Sequence, residues 1–380
     1  MNSHRHRLLA RVLIPLLVAG LAVATAAGVR AAASDPPGAP SDAQLQRLVD
    51  DWRERAGVPA VTVAVTGPDG CRFVAASGSA ERGGGVPATV DSRFRVASIT
   101  KPFVATVVLQ LVEEGRLRLD DPLTKYLPGV AHGSGVTIRQ LLNHTSGVPD
   151  VGRAEGFKRV LVDRQHRWST DEALALVGGA RRDFAPGTDY SYSNTGYLLL
   201  GEVIERVTGS TWAVQVRRRI LDPLHLRHTY VSGAETGEAV LPGYFDADGD
   251  GHEEQVDPGR PWPALETLEG AAGAVVSTAG DLASFGEALF GGQLLRPDTL
   301  RQMVTEGPYR MRTAGYGLGV EVLRPDYRLT FWGHGGSTIG FRSVLLYVPG
   351  HDLTVAVLAN DFMANPPDLA ELLIRAELRA

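Results

Sequence analysis

The chain has 380 residues, 44% of them hydrophobic and 21% charged, with a formal net charge of −5. That length can bury a large core and support two lobes. The acidic balance, with no run of Lys or Arg, argues against a nucleic-acid surface.

The first residues, "MNSHRHRLLAR", are basic, and Val12–Val29 is uncharged. Ala31 and Ala33 fit a small-residue cleavage site, so residues 1–33 read as an export signal and the mature chain is expected to begin near Ser34. A cut near Ala26 is the variant of this reading. The uncharged run is also long enough to span a bilayer, so an uncleaved anchor through residues 12–29 is the alternative. The expected location is therefore secreted or cell-envelope, without stable membrane contact once the signal is removed. Cys71 is the only cysteine, which leaves no internal disulfide.

Residues 34–41 read as a Pro-rich linker and 42–380 as one domain. "AQLQRLVDDWRERAG" (43–57) has helical periodicity and a Gly stop. "VPAVTVAVTGPDGCRFVAASGSAE" (58–81) predicts a β-hairpin turning at Gly67-Pro68-Asp69-Gly70. An apolar helix is expected over 98–114. Helices and loops with few strand signals fill roughly 120–270. "YRLTFWGHGG", "GFRSVLLYVPG" and "HDLTVAVLAND" (327–361) predict three successive strands, and "PDLAELLIRAEL" a closing helix. Strands at both chain ends with helices between them predict an α/β fold. Its mixed, mainly antiparallel sheet comes from both ends and is flanked by helices, and the 120–270 segment forms a second, mostly helical lobe.

Two stretches invite a metal reading. "LHLRH" places His225 and His228 three apart, but no further ligand follows. "FDADGDGHEEQVD" (245–257) approaches a calcium-loop pattern. It departs at Asp257, where Glu is required, and at Glu253, where an apolar residue is required. An acidic hairpin turn is the better reading, and no metal or cofactor is expected.

"FRVASITKPF" (94–103) carries the chemistry. Lysine occurs only at 101, 125 and 158. Residues three apart share a helix face, so Ser98 and Lys101 meet at the mouth of an apolar helix. A Ser at a helix start has a free backbone N–H for an oxyanion, and the helix dipole favours negative charge there. Burial lowers a lysine pKa, and the neutral amine can take a serine proton, as Arg cannot. Two further stretches could join them. Tyr192-Ser193-Asn194 precedes an apolar helix. Tyr192 beside Lys101 and a second cation would ionise more easily, and Asn194 could hold both Lys101 and a substrate carbonyl. His334-Gly335-Gly336 lies near a strand end. The glycines would let a substrate backbone approach, and the Ser337 N–H would be a second oxyanion donor.

Ser-x-x-Lys, then Tyr-x-Asn, then His-x-Gly resembles the active-site set of the penicillin-recognising serine hydrolases. The branch most similar is that of serine D-Ala-D-Ala carboxypeptidases and class C β-lactamases. "LLNHTSGVPD" (141–150), "GAAGAVVSTAGDLASF" (270–285) and "GYGLGVEV" (315–322) resemble further family landmarks, and the likeness spans about residues 42–362. The resemblance implies an acylated nucleophile, Ser98, and a proton-handling pair, Lys101 and Tyr192, with the base in acylation left open. It implies substrate contacts at Asn194, His334, Gly336 and Ser337, with the Ser98 and Ser337 N–H groups as the oxyanion hole. Gly335 departs from the family pattern, because Thr or Ser often stands there and its hydroxyl binds a carboxylate. Arg342 is a candidate replacement. The resemblance implies a D-alanyl-D-alanine carboxypeptidase on peptidoglycan stem peptides. The alternatives are a carboxylesterase or D-amino-acid amidase, a class C-like β-lactamase, and a non-turnover penicillin or cell-wall sensor. The expected partner is a small peptide, ester or β-lactam, and a monomer is expected.

Overall fold

The computed structural model describes residues 40–246, 254–257, 259, 261–308, 313–325 and 329–379. Residues 1–33, expected to be an export signal, residues 34–39 of the expected linker and residues 247–253 of the acidic stretch lie outside these. Seven strands form the main sheet: β1 (Ala60–Gly67), β2 (Gly70–Gly78), β3 (Ala314–Tyr316), β4 (Glu321–Leu323), β5 (Phe331–Thr338), β6 (Phe341–Val348) and β7 (Leu353–Ala359). Their order is β2-β1-β7-β6-β5-β4-β3, and each pairing is antiparallel. The first hairpin thus joins the last one, with Val63 opposite Val357.

Six helices frame the sheet and the site: α1 (Asp42–Ala56), α2 (Thr100–Glu113), α3 (Asn194–Thr208), α4 (Pro263–Gly273), α5 (Ala279–Phe290) and α6 (Pro366–Glu377). Strand side chains alternate between faces. Val61, Val63 and Val65 pack with Leu45 and Trp52 of α1 and Leu369 of α6, while Ala64 faces the core shared by α2 and α5. Both faces are covered, so β1 and β7 are buried along almost their whole length, threonines included. Gly286 lets α5 lie close to the sheet: a Cβ there would come within 2.8 Å of Thr354 Cγ2 and 2.9 Å of Leu345 Cδ1.

Helix α3 packs on α2 and α4, and a further core holds Val160, Trp168, Leu198, Trp262 and Leu265. The region expected to be poor in strands contains short ones, at Tyr230–Val231, Gly243–Phe245 and Glu254–Asp257. Tyr230–Val231 and Phe94–Arg95 both pair with Val275–Ser277. That small sheet fixes the chain just ahead of Ser98. Behind it lies a buried ion cluster. Arg95 donates to Asp257 Oδ2 at 2.6 Å and to Glu266 Oε1 at 3.0 Å, and all three residues are buried.

Candidate active site

The segment before α2 enters the helix through a 3-10 turn, Ala97–Ile99, so Ser98 lies just before the α-helix and not within its first turn as expected. The turn is tight because both its ends are tied. The Val96 N–H donates to Val275 O at 3.0 Å, and the Val275 N–H donates to Thr100 Oγ1 at 2.9 Å. Ala97 takes φ 50, an unusual left-handed conformation for alanine. Strain of this kind collects at functional sites. Pro102 then sits in the first turn of α2, where its missing N–H costs no helical bond.

Lys101 is wholly buried, and its Nζ donates to Ser98 Oγ at 3.0 Å, Asn194 Oδ1 at 2.8 Å and Ala272 O at 2.9 Å. Three expected residues therefore meet at one ammonium. Burial pulls the Lys101 pKa down to about 7, although Asp150, Glu269 and Glu321 oppose the shift. The neutral amine that a proton acceptor requires is then accessible near neutral pH.

Ser98 lies close enough to Tyr192 to act on its acidity, and the Tyr192 ring centroid lies 4.8 Å from Lys101 Nζ. The expectation that this Tyr ionises easily is not met. Burial pushes its pKa well up, Glu321 adds to the rise, and Ser98 only moderates it. The second cation is missing, because His334 is neutral. Burial, then Lys101, pulls the His334 pKa down to about 3. Its Nδ1 lies 2.5 Å from the Gly335 carbonyl, so Nδ1 carries the proton and donates. Nε2 then accepts from the Tyr316 hydroxyl at 2.8 Å. The ring lies 6.2 Å from that of Tyr192.

Strand β5 pairs with β4 only over Phe331–Gly333, so its edge is open beyond that point. Glu321 faces this edge closely enough for the Gly335 backbone to oppose the rise in its pKa. Backbone groups alternate sides along a strand, so the Ser337 N–H emerges on the same edge as that of Gly335. Gly336 does not admit a substrate backbone through its side-chain position. A Cβ there would lie 2.1 Å from Ser343 Oγ and 2.2 Å from the Val96 carbonyl, so its glycine serves the packing of the Ser98 segment. Gly335 is the one with open space beyond it. Arg342 is not a carboxylate anchor beside Ser98. Its neighbour Val344 marks its face of the sheet as the one under α1 and α6, and its Nε donates to Phe362 O at 2.9 Å.

Around the expected residues stand side chains that the sequence reading did not single out. Asn194 is the first residue of α3. Ser193, its N-cap, accepts from the Gly196 N–H, and Asp150 Oδ1 accepts the Asn194 N–H at 2.9 Å. Glu269 accepts from Thr338 Oγ1 at 2.5 Å. Burial pushes both Glu269 and Glu321 up to about 7. Asp150, Tyr316 and Glu321 lie inside the quoted landmark stretches and Glu269 directly before one, and that position is the only sequence signal they carry. Among the described residues no group of three His, Cys, Asp or Glu is placed to hold a metal. The site can acylate a serine, hold an oxyanion and move protons through Lys101 and Tyr192.

A family model described as Beta-lactamase matches residues 45–380. The chain is 33% identical over 346 residues to penicillin-binding protein 4 of Amycolatopsis lactamdurans, covering 85% of this chain and 86% of that one. It is 36% identical over 217 residues to esterase EstB of Burkholderia gladioli, covering 54% and 55%. Among solved structures, a D-stereospecific amidohydrolase from Streptomyces sp. superimposes with a TM-score of 0.74 at 35% identity, covering 84% of this chain and 94% of that one.

Proposed function

The chain belongs to the beta-lactamase family and is a serine hydrolase of it, and from that premise we propose that it cleaves short amides of D-amino acids that carry a free amine. One observation carries this reading. The charges that act on Lys101 are all acidic: Asp150, Glu269 and Glu321. His334 is neutral and Arg342 is bonded on the other face of the sheet. A carboxypeptidase must hold a substrate carboxylate, and burying one without a cationic or donor partner is costly. An acidic cleft favours an ammonium instead. The likeness to a D-stereospecific amidohydrolase over 94% of its chain supports the stereochemistry.

In this mechanism neutral Lys101 takes the Ser98 Oγ proton as Oγ attacks the carbonyl carbon. The Ser98 and Ser337 N–H groups hold the oxyanion. Tyr192, whose proton is firmly held, gives it to the leaving nitrogen and regains one from the Lys101 ammonium. The C–N bond breaks and the amine leaves. Water then attacks the Ser98 ester, Lys101 accepting its proton and returning it to Ser98 Oγ as the C–O bond breaks, and the acid is released. Asn194 holds Lys101 through its Oδ1 and touches the substrate amide. Residues 1–33 act as a cleaved export signal, so the protein works outside the cell or in its envelope, as a monomer. Secreted protein should then begin near Ser34, and membrane-bound protein with an intact Met1 would replace this by the anchor reading.

A second reading, the D-alanyl-D-alanine carboxypeptidase, is favoured by the 33% identity to penicillin-binding protein 4. A substrate panel separates the two. It holds a D-amino acid amide, an N-acylated D-Ala-D-Ala peptide, a nitrophenyl ester and a chromogenic cephalosporin, compared by kcat/KM. The amide should exceed the peptide by about tenfold or more, the ratio that roughly 1.4 kcal/mol of charge preference gives. A higher kcat/KM for the peptide reverses the assignment, and labelling of Ser98 without product release makes the protein a sensor.

A further inference from the structure

His144 uses three of its parts on three consecutive residues. Its carbonyl accepts the Ser191 N–H at 3.0 Å, and its Nδ1 accepts the Ser193 N–H at 3.2 Å. Its ring centroid lies 4.2 Å from that of Tyr192, between them in sequence. The same ring lies 4.6 Å from Tyr316, the partner of His334. His144 takes φ 60, the left-handed region. His132 and His225 share this conformation, so the contacts of the ring and not its φ distinguish His144.

From this geometry we infer that His144 is a positioning residue for proton transfer: it fixes the Tyr192 hydroxyl against Ser98 by clamping residues 191–193. Nδ1 accepts a backbone proton, so the neutral ring carries its own proton on Nε2. His144 is buried, and Nε2 has no hydrogen-bond partner among the described residues. Leaving such a donor unmet is a cost that stability alone does not explain. Asparagine or leucine at this place would spare it, but neither combines an acceptor with a ring face. Burial, Lys101 and His334 all hold the ring neutral, so the Nδ1 acceptor persists over the working pH range. The His144 ring bonds the Ser193 backbone and neither Ser98 nor Lys101, so its effect passes through Tyr192.

The inference rests on the reading of Tyr192 as the proton carrier, and the test is a double-mutant cycle. His144→Phe keeps the ring and removes the Nδ1 acceptor. Single-turnover acylation by a nitrophenyl ester and by the amide is measured in the presence and absence of Tyr192→Phe. His144→Phe should slow amide acylation about a hundredfold with little change in KM, the scale of a 1 Å misplacement. In the Tyr192→Phe background it should cost less than about threefold, because the positioned hydroxyl is gone. His144→Asn, which tolerates φ above zero and restores an acceptor near Nδ1, should recover most of the loss. Equal losses in both backgrounds would make His144 merely structural and overturn the inference. Wild-type acylation by His144→Phe overturns it as well. If Tyr192→Phe alone acylates normally, the proton-carrier reading falls and this inference with it. Should His144→Phe fail to fold, His144→Gln goes through the same cycle, since its amide reaches Nε2 but leaves the Ser193 N–H unpaired.

Discussion

Lys101 decides when the site is active. Its pKa of about 7 makes the neutral base more abundant as pH rises, so kcat/KM for an uncharged ester should climb through pH 7 and level above it. For an amine-bearing amide the rise should be steeper. Glu269 and Glu321 also ionise at about 7 and then attract the ammonium. Equal slopes for the two substrates would remove the acidic residues from recognition. Lys101→Arg keeps a charge that cannot be given up, and acylation should fall on the order of a thousandfold or more. A loss of tenfold or less in rapid-quench measurements would make the lysine a packing residue. Ser98 and Lys101 were legible because a rare lysine stood three residues from a serine. Tyr192 and Asn194 were found through a motif, but the direction of the Tyr192 shift was not. That direction depends on burial and on Glu321, about 130 positions further along the chain. The neutrality of His334 likewise depends on how deeply it is enclosed, which a linear pattern does not carry.

At the scale of elements, the long pieces were readable and the short ones were not. The hairpin of β1 and β2, the strands β6 and β7 and the helix α6 each show apolar stretches bounded by Gly or Pro. Strands of two or three residues, such as Phe94–Arg95 and Val275–Ser277, have no periodicity to detect, yet they aim Ser98. The Arg95 cluster behind them gives one prediction. Arg95→Leu would leave Asp257 and Glu266 buried without their cation, which costs about 3–5 kcal/mol. The denaturation midpoint should drop accordingly; a shift near zero would mean that the carboxyls take up protons or water without loss. Gly336→Ala gives the second. Its methyl would collide with Val96 O and Ser343 Oγ, so stability should fall by about 1–3 kcal/mol from overpacking. Acylation should fall with it, because Val96 leads into the Ser98 turn. Unchanged acylation in the folded variant would separate the glycine from the nucleophile.

For the whole molecule, helices α1 and α6 from opposite chain ends cover the same sheet face. Removal of residues 366–379 should expose that face and leave the protein insoluble, since the apolar sheet surface under Leu369, Leu373 and Ile374 is left bare. Soluble, active truncated protein would show that α1 suffices. The register of β1 against β7 has a temporal meaning too. Until residues 353–359 leave the ribosome, β1 has no partner on one side, and its valines have no finished core to enter. Pairings this distant in sequence form late and slowly. The sheet therefore stays open along β1 until residues 353–359 have been made, and the intervening helices must wait for the strand that completes their floor.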